Sequence, residues 1–128
     1  ASRDWGSAID YVMAMKLMLE QDEPKDFIIA TGMLSSVREC LRLSALNAGF
    51  DPLFEGHGLE EICVDSVSGR VIAKVVGRYF RESDTPPLAG NPAKIELETG
   101  WVRTKNFQQL LQEMLVADIS RLKIGDYD

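Results

Sequence analysis

Residues 26–32 read Asp26-Phe27-Ile28-Ile29-Ala30-Thr31-Gly32, an unbroken apolar run with no polar alternation. Such a run suits a strand covered on both faces, as in a parallel sheet, rather than a strand with one wet face. It predicts an α/β chain with a buried strand at 27–31. Upstream, Ala8, Val12, Met15 and Leu19 fall on one helical face with Tyr11 and Met18 beside them, predicting a helix over 7–21. Ser7 with Asp10 reads as its capping box, and Pro24 cannot continue it. Downstream, Ser36 with Glu39 reads as a second capping box. It opens a helix over about 36–48 with Val37, Leu41, Ala45 and Ala48 on one face and Gly49 as the C′ residue.

Further out, Leu53-Phe54 forms a short strand candidate, followed by the loop Glu55-Gly56-His57-Gly58. Ile62-Cys63-Val64 and Val71-Ile72-Ala73-Lys74-Val75-Val76 flank the turn-forming Asp65-Ser66-Val67-Ser68-Gly69, which predicts a hairpin over 62–76. Residues 77–90 contain Pro86-Pro87 and are excluded from helix. Asn91 as N-cap and Pro92 at N1 open a short helix that stops at Gly100. Asn106 caps a last helix with Phe107, Leu111, Met114, Leu115, Ile119 and Leu122 as its apolar face.

The 128 residues make room for one domain. Fourteen basic against twenty acidic side chains give a net charge of −6. That balance argues against nucleic acid and membrane surfaces as partners, both being anionic. No apolar run approaches the ~20 residues that cross a bilayer, and Ala1-Ser2-Arg3-Asp4-Trp5-Gly6 reads as no signal peptide. Cys40 and Cys63 fall on predicted regular elements and read as reduced thiols of a cytoplasmic protein. With His57 they lack zinc-ligand spacing, so no metal site is expected.

The sequence holds no G-x-G-x-x-G after a strand, no P-loop and no Tyr-x-x-x-Lys pair; Tyr11 and Lys16 are five apart. His57, between two glycines, has no nucleophile near it in sequence and reads as a loop residue. Glu60-Glu61 reads as a solvated stretch. No complete catalytic set is present.

Two stretches carry more. Arg3-Asp4-Trp5-Gly6-Ser7-Ala8-Ile9-Asp10-Tyr11 and Arg78-Tyr79-Phe80-Arg81-Glu82-Ser83-Asp84 resemble motifs of the GDP-mannose 4,6-dehydratases, in the extended short-chain dehydrogenase/reductase superfamily. Ser36-Val37-Arg38-Glu39, Phe54-Glu55-Gly56-His57-Gly58-Leu59-Glu60-Glu61, Gly90-Asn91-Pro92-Ala93-Lys94 and Thr99-Gly100-Trp101 complete the resemblance in order. Nearly the whole chain is covered. Each motif alone is weak; together they are specific.

The resemblance implies a C-terminal part of such an enzyme. Most of it would be the small substrate domain across 1–128, with the helix and strand of 1–32 belonging to a Rossmann-type cofactor domain. The family converts GDP-mannose to GDP-4-keto-6-deoxymannose with bound NADP. Its catalytic Thr, Glu, Tyr and Lys lie upstream of the matched motifs, so the chain by itself is expected to bind no NADP and to be inactive. Arg81 and Asp84 occupy an Arg-x-x-acid pattern implied to hold phosphates and ribose hydroxyls, and Arg3 occupies another nucleotide-contacting position. The chemistry suits the roles, because guanidinium binds phosphate bidentately and a carboxylate accepts two hydroxyl protons. Tyr79, Phe80 and Trp101 are read as packing residues.

Departures from the family pattern include Ser7 for histidine, Val76-Gly77 for Asp-Pro, Asn91 for aspartate, and Glu82 beside the implied diphosphate. Two other readings stand beside the first: part of another nucleotide-sugar epimerase or reductase, and a non-catalytic binding or assembly module. Self-association through 27–31, or pairing with the missing cofactor domain, is expected for an apolar strand without neighbours.

Overall fold

The computed structural model describes residues 1–81 and 86–125. The chain is α/β, with four α-helices and two small sheets among the described residues. A two-stranded ribbon pairs β1 (Ser2–Asp4) with β2 (Leu34–Ser36), Arg3 standing opposite Ser35. Around it run helices α1 (Ala8–Leu19), α2 (Val37–Asn47), α3 (Ala93–Thr99) and α4 (Phe107–Ile124). The second sheet is a meander of β3 (Pro52–Glu55), β4 (Ile62–Asp65) and β5 (Val71–Lys74). The hairpin expected over 62–76 is therefore present, and Leu53-Phe54 forms its third strand. Asp65 shapes the turn: it accepts the Ser68 backbone N–H at 3.0 Å and the Asp51 N–H at 2.8 Å.

Both sheets are antiparallel, and among the described residues the run 27–31 forms no ladder. The sequence-based expectation of a strand at 27–31, buried throughout, is corrected to a single stretch of chain with Ala30 and Thr31 buried and Ile28 exposed. A ladder needs a neighbouring strand. What lies against this run is the 90–94 segment, through side-chain contact rather than backbone pairing. A Cβ on Gly90 would stand 2.3 Å from the Ala30 Cβ, and the Lys94 ammonium lies 5.0 Å above the Phe27 ring.

Ala14 of α1, Ile95 of α3 and Trp101 make the core, ringed by Tyr11, Leu17, Met18, Phe27 and Ile29. The Trp101 Nε1–H donates to the Asp10 carbonyl at 2.9 Å. The Asp10 carboxylate accepts the Thr104 N–H at 3.1 Å and its hydroxyl at 2.6 Å. The expected Ser7–Asp10 capping box is thus absent, since Asp10 is spent on the connector and Ser7 makes no side-chain cap. The inward face of α1 also differs from expectation: Val12, Met15 and Leu19 are exposed. The helix is apolar nearly all round, so periodicity cannot choose a face. The hydrogen bonds that Asp10 makes to 101 and 104 choose it.

Elsewhere local signals hold. The Ser36 hydroxyl accepts the Glu39 N–H at 3.0 Å, although the Glu39 carboxylate turns to Arg42 instead of completing the box. Asn106 and Gln109 form a full reciprocal box on α4, at 2.9 Å each way. Helix α3 starts one residue later than expected, at Ala93, with the Asn91 side-chain Oδ1 accepting the Ala93 N–H at 3.0 Å. Cys40 and Cys63 are both free thiols.

Candidate functional site

Each residue of Arg3-Asp4-Trp5-Gly6 has a distinct physical task. Trp5 ties the ribbon together and to α4: its Nε1–H donates to the Ser35 carbonyl at 2.8 Å, and its ring lies 5.8 Å from that of Phe107. Gly6 admits the Tyr11 hydroxyl, which would stand 2.3 Å from any Cβ there. Asp4 is a junction. Its Oδ1 accepts the Thr31 N–H at 2.9 Å and the Thr31 hydroxyl at 2.5 Å. Its Oδ2 accepts the Gly32 N–H at 2.9 Å and the Gly90 N–H at 3.3 Å. Burial pushes the Asp4 carboxyl up, but the bonds from Thr31, Gly32 and Gly90 outweigh it and hold the group below its usual value.

Arg3 lies between this junction and the start of the ribbon. It is half-buried, and one guanidinium nitrogen donates to the Ser2 carbonyl at 2.8 Å. Arg81 follows the 3₁₀ turn Gly77–Tyr79 and is exposed. Asp84 lies outside the described residues. Tyr79 and Phe80 are exposed, against the expectation that they pack; the turn stands off the core and Arg78 covers Tyr79, 4.3 Å from the ring centre. Trp101, read the same way, is buried.

Two clefts flank the ribbon. One, of about 650 Å³, opens between the start of α2 and the meander, lined by Arg38, Leu41, Phe54, Glu61 and Lys74. Arg38 spans it, paired with Glu61 and 5.5 Å from the Phe54 ring centre. The other, of about 290 Å³, lies beside Trp5 and is lined by Thr31, Arg103 and Lys105. Neither is lined by Arg3 or Arg81.

The family model for GDP-mannose 4,6 dehydratase matches residues 1–114, a span containing both arginine-bearing motifs. The chain belongs to this family. It is 39% identical to the GDP-mannose 4,6-dehydratase of Yersinia enterocolitica and 40% identical to one from Vibrio cholerae serotype O1, covering 94% of this chain in each case. Against the Homo sapiens GDP-mannose 4,6 dehydratase the identity is 39% over 96% of the chain. The chain spans about a third of the length of these curated relatives: 35%, 35% and 33%.

Within the dehydratase motifs, sequence reasoning singled out Arg3, Arg81 and Asp84 and missed Asp4. Its partners are 27 to 86 residues away, so no local spacing reveals them. Asp10 was read as a cap for the same reason, since Thr104 is 94 residues distant. The only sequence signal for Asp4 is its place inside Arg-Asp-Trp-Gly.

Proposed function

We propose that this chain is the GDP-holding part of a GDP-mannose 4,6-dehydratase, with Arg3 and Arg81 on the diphosphate and Asp84 on the ribose hydroxyls. The supporting observation is the family match across 1–114, which takes in both arginine motifs. A guanidinium gives charge-assisted contacts to phosphate at any physiological pH. In this reading residues 1–32 belong to a cofactor domain whose remainder carries the acid–base groups and the NADP. The residues present do not fit that cofactor. The four helices follow Ser7, Ser36, Pro92 and Asn106, none behind a G-x-G-x-x-G turn, so no step of the chemistry is assigned to this chain.

The apolar outer side of α1, where Ile9, Val12, Met13 and Leu19 are exposed, and the exposed Ile28 are where this reading places the cofactor domain or a second copy. Free Cys40 and Cys63 suit a reducing cytoplasm. Among the described residues no helix is long and apolar enough to cross a membrane.

Calorimetric titration with GDP tests the reading. Arg81→Ala should weaken binding by about 1.5–3 kcal/mol, the loss of a charge-assisted contact. Arg42→Ala, which removes an arginine already held by Glu39, should leave it unchanged. Equal effects of the two substitutions, or no GDP binding by the wild-type chain, would overturn the assignment.

A further inference from the structure

The Asp4 carboxylate joins three parts of the chain that are remote in sequence: the ribbon strand bearing Arg3, the end of the apolar run at Thr31 and Gly32, and Gly90 ahead of α3. Its two oxygens take four donors between them. That is close to the full capacity of a carboxylate, so Asp4 has no role left as a ligand contact of its own. The arrangement is also tightly enclosed. Gly90 has no room for a side chain against Ala30 and Ile28, and Gly32 sits at φ 73°, where an L side chain is strained. Neutral side chains of the same shape cannot replace it, because an amide offers one acceptor oxygen where the junction uses two.

The residue immediately before this clamp is Arg3. The Arg3 backbone pairs with Ser35 and adjoins the clamp at Asp4, so the point from which its guanidinium extends is fixed, and the guanidinium itself donates to the Ser2 carbonyl. We propose that Asp4 is a positioning residue of the nucleotide site, acting through Arg3: by locking β1 to Thr31, Gly32 and Gly90 it sets the direction from which Arg3 meets the diphosphate. This inference rests on the GDP-holding reading above. It adds a residue that touches no ligand yet governs how well one is held.

The test is a GDP titration of the chain and its Asp4→Asn, Arg3→Ala and doubly substituted forms, with Asp10→Asn as control. Asp10 is more deeply buried than Asp4, and its carboxylate anchors Thr104 to α1, so its substitution should lower the urea midpoint while sparing GDP affinity. Asp4→Asn should weaken GDP binding by about tenfold, as for loss of one charge-assisted contact. The double variant should bind no more weakly than Arg3→Ala, since both changes remove the same interaction. At saturating GDP, the ³¹P shift of the bound β-phosphate in Asp4→Asn should match that in Arg3→Ala, a signature that a general loss of stability would not produce. Thr31→Val removes the hydroxyl donor to Asp4, together with that hydroxyl's bond from the Met33 N–H, but keeps the Thr31 and Gly32 backbone donors; it supplies a milder variant that should move affinity the same way. Additive losses in the double variant, or GDP affinity untouched by both Asp4→Asn and Thr31→Val, would overturn this inference alone. Absence of GDP binding by the wild-type chain would overturn it together with the reading beneath it.

Discussion

Gly90→Ala should destabilise the chain by about 2–3 kcal/mol, a figure built from three contributions. The new methyl carbon would lie 2.3 Å from the Ala30 Cβ and 3.1 Å from the Ile28 Cγ2. Apolar carbons rest near 3.5–4.0 Å, so the segment at 90 must retreat from residues 28–30 by more than about 1 Å. The Gly90 N–H already reaches Asp4 across 3.3 Å, and such a retreat carries it out of hydrogen-bonding range. Overpacking costs about 1–3 kcal/mol. The lost bond to a carboxylate adds about 1.5 kcal/mol. The narrower unfolded ensemble of alanine offsets about 0.4–1 kcal/mol. Urea unfolding followed by circular dichroism reads the change, and thermal melts should fall by roughly 10 °C. The partner substitution Ala30→Gly removes the atom that is struck, so the double variant should recover at least about 1 kcal/mol relative to additivity. A Gly90→Ala chain as stable as wild type, or a strictly additive double variant, would refute the close approach and the anchoring role given to Asp4.

Two further predictions concern the core and the junction. Trp101→Ala should cost about 3–5 kcal/mol and Trp101→Phe distinctly less, because phenylalanine keeps most of the packing and loses the bond to the Asp10 carbonyl; equal losses in urea titrations would contradict this. Asp4, whose folded pKa is depressed, contributes stability that is fully present above its unfolded value of about 3.9. That stability is lost as pH falls through the folded value. The wild-type urea midpoint should therefore drop more steeply than that of Asp4→Asn below about pH 4, and parallel pH profiles would show that the carboxylate is not the source.

What could be read from the sequence was local. The four helices, the hairpin and the Asn106 cap follow from side chains a few residues apart, where periodicity, caps and turn residues act directly. The face of α1 was not legible, because Ile9, Val12, Met13 and Met15 make the helix apolar on the side away from the core as well, and the choice is made by Trp101 and Thr104 across some 90 residues. The run 27–31 was legible as an apolar stretch but not in its pairing, since a ladder depends on what lies alongside and the 90–94 segment there offers side chains. Of the proposed site, Arg3 and Arg81 carried their signal in motif and charge. Asp4 carried none of its own, being polar, short and bonded only to distant backbone and Thr31. Tyr79 and Phe80 misled for the opposite reason: aromatic composition suggested packing, while the turn at 77–79 holds them off the core.

The central claim, that a nucleoside diphosphate is held between the Arg3 strand and the segment bearing Arg81 and Asp84, is tested most directly by titrating GDP into the ¹⁵N-labelled chain and mapping the amide shifts. The account predicts shifts concentrated at residues 2–4, 31–32, 35 and 81–90, abolished by Arg81→Ala. Shifts concentrated instead around Arg38, Phe54 and Lys74, in the cleft beside the meander, would contradict it.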